Sequence, residues 1–580
     1  MSNLLTGCAL LLAMPLLAVK ESNTVGLHWL PWSDNIFAQA KKENRYVLLD
    51  LEAVWCHWCH VLDETTYKDP TAVALLRSKY LLVRVDQDSR PDLSNRYEDY
   101  GWPATVVFNG DGQEIVKRRG YIPPREMVSM LRAIIADPTP GPSVVKEEKV
   151  EYAASPFLSE DLRKQLQTNY LARYDSKHGS WGFDQKFLDW DGVEYAIALA
   201  RKGDAQAEHM ARQTLEAQLN LIDPVWGGVY QYSTDGDWKE PHFEKIMQMQ
   251  AENLRTYALA YAQWGKPEHL KAATDIHRFL KTFLMSPEGA FYTSQNADVI
   301  DGQHSAKYFK LNDAARRRLG IPRVDKHVYA RENGWAINAL VSLYEATADP
   351  SYLSEAKRAA AWIIQNRSLP AGGFRHDAVD AAGPHLGDTL AMSRAFLNLY
   401  AATGEREWLK RSEDGLRFIA ANFKNPARAG FATSKNSPRP QLEENVTLVR
   451  VANLLAQYTG DAGFRTIAEQ AMRYPATPQI ARQHSAAPAL LADLELTRPP
   501  VHVTVVGHKD DPEARQLFER AMHYPSTYKR VEWWDKREGK LPNPDVQYPE
   551  LKHAAAFLCT ERSCSSPITK PEQLVARLSK

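Results

Sequence analysis

The chain has 580 residues, with 71 Lys and Arg balanced by 71 Asp and Glu and an apolar fraction of 44%. That length exceeds one ordinary core and implies roughly three domains. Balanced charge, with no basic run interleaved with aromatics, argues against nucleic acid as a partner.

The N-terminus carries an apolar run from Leu4 to Val19, ended by Lys20 and Glu21. It is too short to span a bilayer and has the form of a signal-peptide h-region, so residues 1–19 are read as a signal peptide and the protein as exported, periplasmic or secreted. No basic residue precedes the run, and Leu16 to Ala18 is a poor cleavage site. A mis-started N-terminus and a cytoplasmic location therefore stand as the alternative. The acylation-box pattern LTGC is discounted because Cys8 precedes most of the apolar run. No other segment reaches spanning length, so the mature chain is expected to carry no membrane span. Without Cys8, four cysteines remain in two close pairs, Cys56 with Cys59 and Cys559 with Cys564. That is too few for a disulfide scaffold.

Residues 20–140 read as an α/β domain. A helix from Asp34 to Lys42 precedes the buried-strand composition YVLLDLEA, and CHWC opens the next helical pattern. YLLVRVD at 80–86 is a second strand. After a polar loop come two strands flanking Asn109-Gly110-Asp111-Gly112, then a helix in PPREMVSMLRAII. Residues 155–498 read as helical. Leu254, Tyr257, Ala258 and Tyr261 mark one buried face, stopped by Gly265 and Pro267. YAQWGKPEHL, YEATADPSYL and YAATGEREWL repeat a Tyr nine residues before a Leu. Glycine-aromatic loops recur as GSWGF, WGGVY, EGAFY, AGGFR and RAGFA. About twelve helices predict a closed toroid of six hairpins with those loops at one end, an open solenoid being the alternative. Residues 500–580 return to a small α/β unit whose docking the sequence leaves open.

A cysteine attacks as thiolate, and a helix N-terminus lowers its pKa. Cys56 is thus the expected nucleophile and Cys59, one turn later, the resolving thiol. His57 between them is the expected tuner of the thiolate. Cys56, His57, Cys59 and His60 also offer four metal ligands, but adjacent helical residues diverge and closed zinc sites usually use two separated pairs. No metal and no cofactor is expected, and an inert core pair is the remaining alternative. In the helical part, Asp235, Trp238, His242, Glu244 and Asp298 are candidates for a saccharide-type cavity, combining carboxylates with an aromatic face. His376 could supply a second imidazole. Alternatively, PHFEK caps a helix and ties loops together. Cys559 and Cys564 read as a structural disulfide of an exported protein, or as a second redox pair.

The segment GWPATVVF looks like the element of thioredoxin-fold proteins in which a cis proline, here Pro103, faces the CxxC and contacts substrate backbone. HWLPW, WCHWCHVL, VDQDSRPDLSNRY, FDQKF and YSTDGDWKEPHFEK resemble the thioredoxin-like proteins related to spermatogenesis-associated protein 20. The resemblance covers nearly the whole chain. It implies an α/β thioredoxin-like domain, then an all-α six-hairpin toroid of the kind found in glycosidases and epimerases, here followed by the small C-terminal α/β unit. Asn296 stands where that family usually has an acid, and Glu332 where it usually has Trp. The expected function is thiol-disulfide exchange on a protein substrate or redox partner, with the toroid as ligand or partner platform. The alternatives are a carbohydrate-active or saccharide-binding toroid with an accessory thioredoxin-like domain, and a non-catalytic interaction protein.

Overall fold

A computed structural model describes residues 26–145, 149–380, 382–424, 428–437, 439–560 and 563–579. The expected signal peptide and Cys8 lie outside the described residues. Among those described, no helix is long and apolar enough to cross a membrane.

The first domain runs β1 (Trp29–Leu30), α1 (Ile36–Glu43), β2 (Tyr46–Glu52), α2 (His57–Glu64), α3 (Pro70–Lys79), β3 (Tyr80–Asp86), α4 (Pro91–Tyr97), β4 (Ala104–Phe108), β5 (Glu114–Arg119) and α5 (Pro124–Ala136). The sheet order is β1-β3-β2-β4-β5, with β1, β3 and β2 parallel and β4 and β5 antiparallel. Alternation along β2 sends Leu48 into one core with Leu62, Leu82 and Leu131, and Val47 and Leu49 into another with Ile36, Val83 and Phe108. Burial on both faces explains its apolar run Val47-Leu48-Leu49, which Asp50 ends. The stretch expected as a polar loop after β3 holds α4, a correction. Pro91 starts this helix, and Leu93 and Tyr97 are buried one turn apart. So short an element shows no periodicity to read.

The helical domain comprises α6 (Glu160–Ala172), α7 (Trp190–Ala200), α8 (Ala205–Gln218), α9 (Met247–Trp264), α10 (Pro267–Phe279), the short α11 (Ala306–Phe309) and α12 (Asp313–Leu319), α13 (Ala330–Thr347), α14 (Pro350–Arg367), α15 (Leu386–Thr403), α16 (Arg406–Asn422), α17 (Leu442–Thr459), α18 (Ala462–Met472), the short α19 (Pro478–Ala481) and α20 (Ala486–Leu496). Helices α7, α9, α13, α15, α17 and α20 pack successively, and α20 returns to α7. The ring is closed, so the open solenoid does not apply. Helices α8, α10, α14, α16 and α18 pack outside their preceding neighbours, and α6 packs on α20. The first and last helices thus form the sixth hairpin.

Four inner helices end alike. Gly265, Ala348, Gly404 and Gly460 adopt left-handed backbone, and each N–H donates to the carbonyl four residues back. At the other end, the glycine-aromatic loops close as small antiparallel bridges, Tyr174 with Trp181, Ile222 with Val229, Met285 with Phe291, Ser368 with Phe374 and Lys424 with Phe431. A polar side chain one turn into the next inner helix holds the loop backbone. Gln250 bonds both N and O of Val229, Asn333 those of Phe291 and Asn445 those of Phe431, while Thr389 accepts from the Phe374 N–H.

In the C-terminal unit, strand Val501–Val506 lies between a parallel neighbour, Lys529–Trp534, and an antiparallel one, Ala555–Cys559. Helices α21 (Pro512–Met522) and α22 (Pro571–Leu578) cover it. It docks where inner helices end: Val531 N donates to the Tyr458 hydroxyl at 3.0 Å, and Lys529 pairs with Glu345 at 3.1 Å. The first domain sits at the opposite end, where Gln441 donates to Glu98 at 3.0 Å and Asn95 to Glu444 at 3.4 Å.

Candidate functional site

Strand β2 delivers Cys56 to the N-cap of α2 in extended backbone, where its Sγ accepts from the Cys59 N–H at 3.1 Å. Cys56 and Cys59 are joined as a disulfide, and each is only 3% exposed. The Trp102–Pro103 bond is cis. Trp102 packs against the cysteine pair together with Ile246, and meets Trp55 edge to face at 5.9 Å.

The cover comes from the ring. Strand Lys245–Ile246 pairs with Ser294–Gln295. Beside it, Ala297 N donates to the Trp55 carbonyl and Arg323 to that of Val54, both at 3.3 Å. Glu244 Oε1 accepts from the His57 N–H at 3.2 Å. Asp298 lies 2.8 Å from His57 Nδ1 and 3.2 Å from His60 Nδ1, and accepts from Gly302 N at 3.0 Å. Glu244 and Asp298, expected in a saccharide cavity, therefore meet the CHWC motif.

Electrostatics follow from this enclosure. Burial works to lower the His57 imidazole, but its hydrogen bond to Asp298 and the charges of Asp298 and Glu244 outweigh it, and the net shift is upward. Burial works to raise Asp298, yet bonds from His57 and His60 bring it down. For Glu244 burial outweighs the bond from the His57 N–H and the His57 charge, and pushes it up to about 7. His242 is lowered to about 4 by burial and by the neighbouring His57 and His304. Beneath the motif, Arg84 lies 2.8 Å from Asp50 and 2.5 Å from Asp63. Asp50, Glu52 and Asp63 stand close enough to share a cation, and the Arg84 guanidinium already pairs with all three.

Of the remaining candidates, His242 stays beside the motif, its Nδ1 4.0 Å from Glu244, and the others are placed elsewhere. His242 stacks on Tyr232 at 4.3 Å. Asp235 is an exposed turn residue at φ 61°, and the Trp238 indole donates to the His178 carbonyl at 2.6 Å. Lys245 is fully buried and pairs with Asp223 at 2.8 Å. His376, also buried, is bonded to Asp388 at 2.8 Å and to the Asp88 carbonyl at 2.7 Å. It bridges the two domains. Asn296 accepts from Asp298 N at 3.0 Å, bracing that carboxylate. Cys559 and Cys564 form a second disulfide in a separate core with Val506 and Phe557.

A cavity of about 340 Å³ lies between the domains. Trp55, Asp88, Glu98 and Trp102 line it from one side, and Glu332, Glu443 and Glu444 from the first turns of α13 and α17. Of these carboxylates, only Glu332 was singled out in sequence. The others sit in polar or helical stretches with the composition of solvated acids.

The thioredoxin-like family described as protein of unknown function, DUF255 (Thioredox_DsbH), matches residues 13–136. An uncharacterized Caenorhabditis elegans protein is 21% identical over 69% of this chain and 72% of its own length. Mouse spermatogenesis-associated protein 20 is 25% identical over 47% of this chain, which spans 38% of that longer protein. Thioredoxin of Mycoplasmoides gallisepticum is 33% identical over 16% of this chain and 89% of its own. A crystal structure of D-mannose isomerase superposes with TM-score 0.45 and 14% identity, covering 60% of this chain and 99% of that one. Strand order in the first domain agrees with the match of residues 13–136 to the thioredoxin-like family, and 47% of the chain is similar to spermatogenesis-associated protein 20.

Proposed function

We propose that the protein is a thiol-disulfide oxidoreductase acting through Cys56 and Cys59. The observation that carries the reading is Cys56 at the N-cap of α2 with Cys59 one turn on, already paired with it. In the reductive direction, the Cys56 thiolate attacks one sulfur of a substrate disulfide, and the second substrate sulfur leaves as thiolate and takes a proton. Cys59, deprotonated, then attacks Cys56 Sγ and releases the first substrate sulfur as a thiol. Two electrons pass from the pair to the substrate, and a dithiol donor restores the pair. Oxidation of a substrate dithiol runs the same steps in reverse. Pro103 is the expected backbone contact, and His57, held by Asp298, tunes the thiolate. Because Trp102 and Ile246 pack on the buried pair, a protein substrate gains access only when that cover is displaced. Export to an oxidising compartment is part of the same proposal.

The test is equilibration of the purified protein in glutathione buffers of graded potential, followed by thiol alkylation and mass spectrometry. A reversible two-electron transition confined to Cys56 and Cys59, absent in Cys56→Ser, is the expected result. If the pair never re-forms after reduction, the reading fails.

A further inference from the structure

We infer that the cleft between the thioredoxin-like domain and the ring binds a small linear organic polycation of the polyamine class. The cleft has two lobes. The cavity of about 340 Å³ adjoins one of about 410 Å³, and both are lined by Glu98, Gln441 and Glu443. Five carboxyl groups line the first lobe against two guanidinium groups, those of Arg331 and Arg394, and no lysine. Both guanidinium groups are already engaged: Arg331 pairs with Glu332 at 2.7 Å and lies over Trp335, and Arg394 pairs with Glu252 at 3.2 Å. The second lobe adds Asp99, Asp189 and Asp191 against Arg173 and His484.

Neutral donors hold the first-lobe acids: Gln441 for Glu98 at 3.0 Å, Gln248 for Glu443 at 2.8 Å, Thr433 for Glu444 at 2.9 Å and the Trp55 indole for Asp88 at 2.8 Å. A separate observation points to a ligand. Glu332, 2% exposed and lining the first lobe, has an Oε2 with no hydrogen-bond partner. Arg331 holds Oε1 of this carboxylate, but a buried carboxylate oxygen without a donor is costly, and an ammonium supplies the donor that Oε2 lacks. Ammonium groups spaced along an alkyl chain pair with successive carboxylates, while the methylenes and charges lie against Trp55 and Trp102 in one lobe and Trp181 and Trp190 in the other. Glu443, where the lobes join, faces Asp191, Glu252, Glu98 and Arg331, and burial with its acidic neighbours pushes it up to about 8. A cation placed there reverses that shift.

Isothermal titration of the full chain with spermidine, putrescine and cellobiose tests the inference. Saturable binding of spermidine is expected, weaker binding of the shorter putrescine and none of cellobiose. Glu443→Gln and Asp191→Asn should each weaken spermidine about tenfold or more. Cys56→Ser should leave binding unchanged, which separates this site from the redox proposal. Absence of saturable heat with spermidine at millimolar concentration overturns it, as does preferential binding of cellobiose. So does full affinity in a Glu443→Gln protein whose melting curve shows it folded. The wild-type comparison of the three ligands decides the matter even where a variant fails to fold.

Discussion

At the N-terminus of α2, Glu244 from the ring accepts from the His57 N–H while the Cys56 sulfur accepts from that of Cys59. The helix terminus favours a thiolate at Cys56, and a charged Glu244 beside it opposes one. Burial pushes Glu244 up to about 7, so its charge changes near neutral pH. In reduced protein, Glu244→Gln should lower the Cys56 pKa by about one unit and abolish an inflection near pH 7 in the rate of alkylation. An unchanged rate profile would show that the carboxylate does not act on the thiol. Asp298 stabilises through two histidines. His57 is raised above its ordinary 6.5, so its share of the stability is full below that value and fades as pH rises through the folded value. Asp298 is lowered below its ordinary 3.8, so its own share is full above that value and is lost as pH falls through the folded one. Asp298→Asn should therefore cost about 1–3 kcal/mol at about pH 5.5 and less at about pH 9, measured by denaturant unfolding. An equal cost at both would remove the imidazolium from the account.

Among elements, α13 and α15 approach backbone to backbone. A Cβ on Gly334 would stand 2.6 Å from the backbone carbon of Ala391. Alanine gains up to about 1 kcal/mol of helix propensity there, yet the contact is with backbone and cannot yield cheaply. Gly334→Ala should lower stability by about 1–3 kcal/mol, read as an earlier denaturant midpoint with unchanged slope. A later midpoint would mean that the ring has slack. Elements of this kind were legible in sequence wherever an apolar period ran long enough, as in α9, or where apolar residues dominate, as in β2 and β3. The turn repeat was legible too, although Ala348 keeps the left-handed conformation without glycine. Helix α4 was not, because Leu93 and Tyr97 give a single turn of pattern. Nor were Gln250, Asn333 and Asn445, whose loop contacts have no signature until the helices are aligned side by side.

Across the whole molecule, the thioredoxin-like domain covers one end of the ring and the C-terminal unit the other. Between them lies a buried ion network in which Arg255 pairs with Glu194 and Glu252, each at 2.6 Å, and Arg450 with Glu194 and Glu495. Arg450→Met should destabilise by about 3–5 kcal/mol, since it strands Glu495 in the interior and leaves Glu194 with Arg255 alone. Burial works to raise Glu194, but the two guanidinium groups hold it far below its ordinary 4.5. The stability it contributes is thus full above that value and lost as pH falls through the folded one, and Glu194→Gln should blunt the acid transition. At this scale the sequence disclosed the cysteine pair but not its cover. Glu244 and Asp298 read as sugar-site acids because their partners in the CHWC motif lie 187 and 241 residues away. Ring closure has a further consequence, during synthesis. Helix α6 at Glu160–Ala172 is made long before its partner α20 at Ala486–Leu496, a delay of roughly tens of seconds on the ribosome. Through that interval Leu162, Leu166 and Tyr170 lack the surface that will bury them. A chain stalled before Ala486 presents this apolar stripe to every other nascent protein nearby, so the last hairpin is the step at which chaperone demand and aggregation risk concentrate.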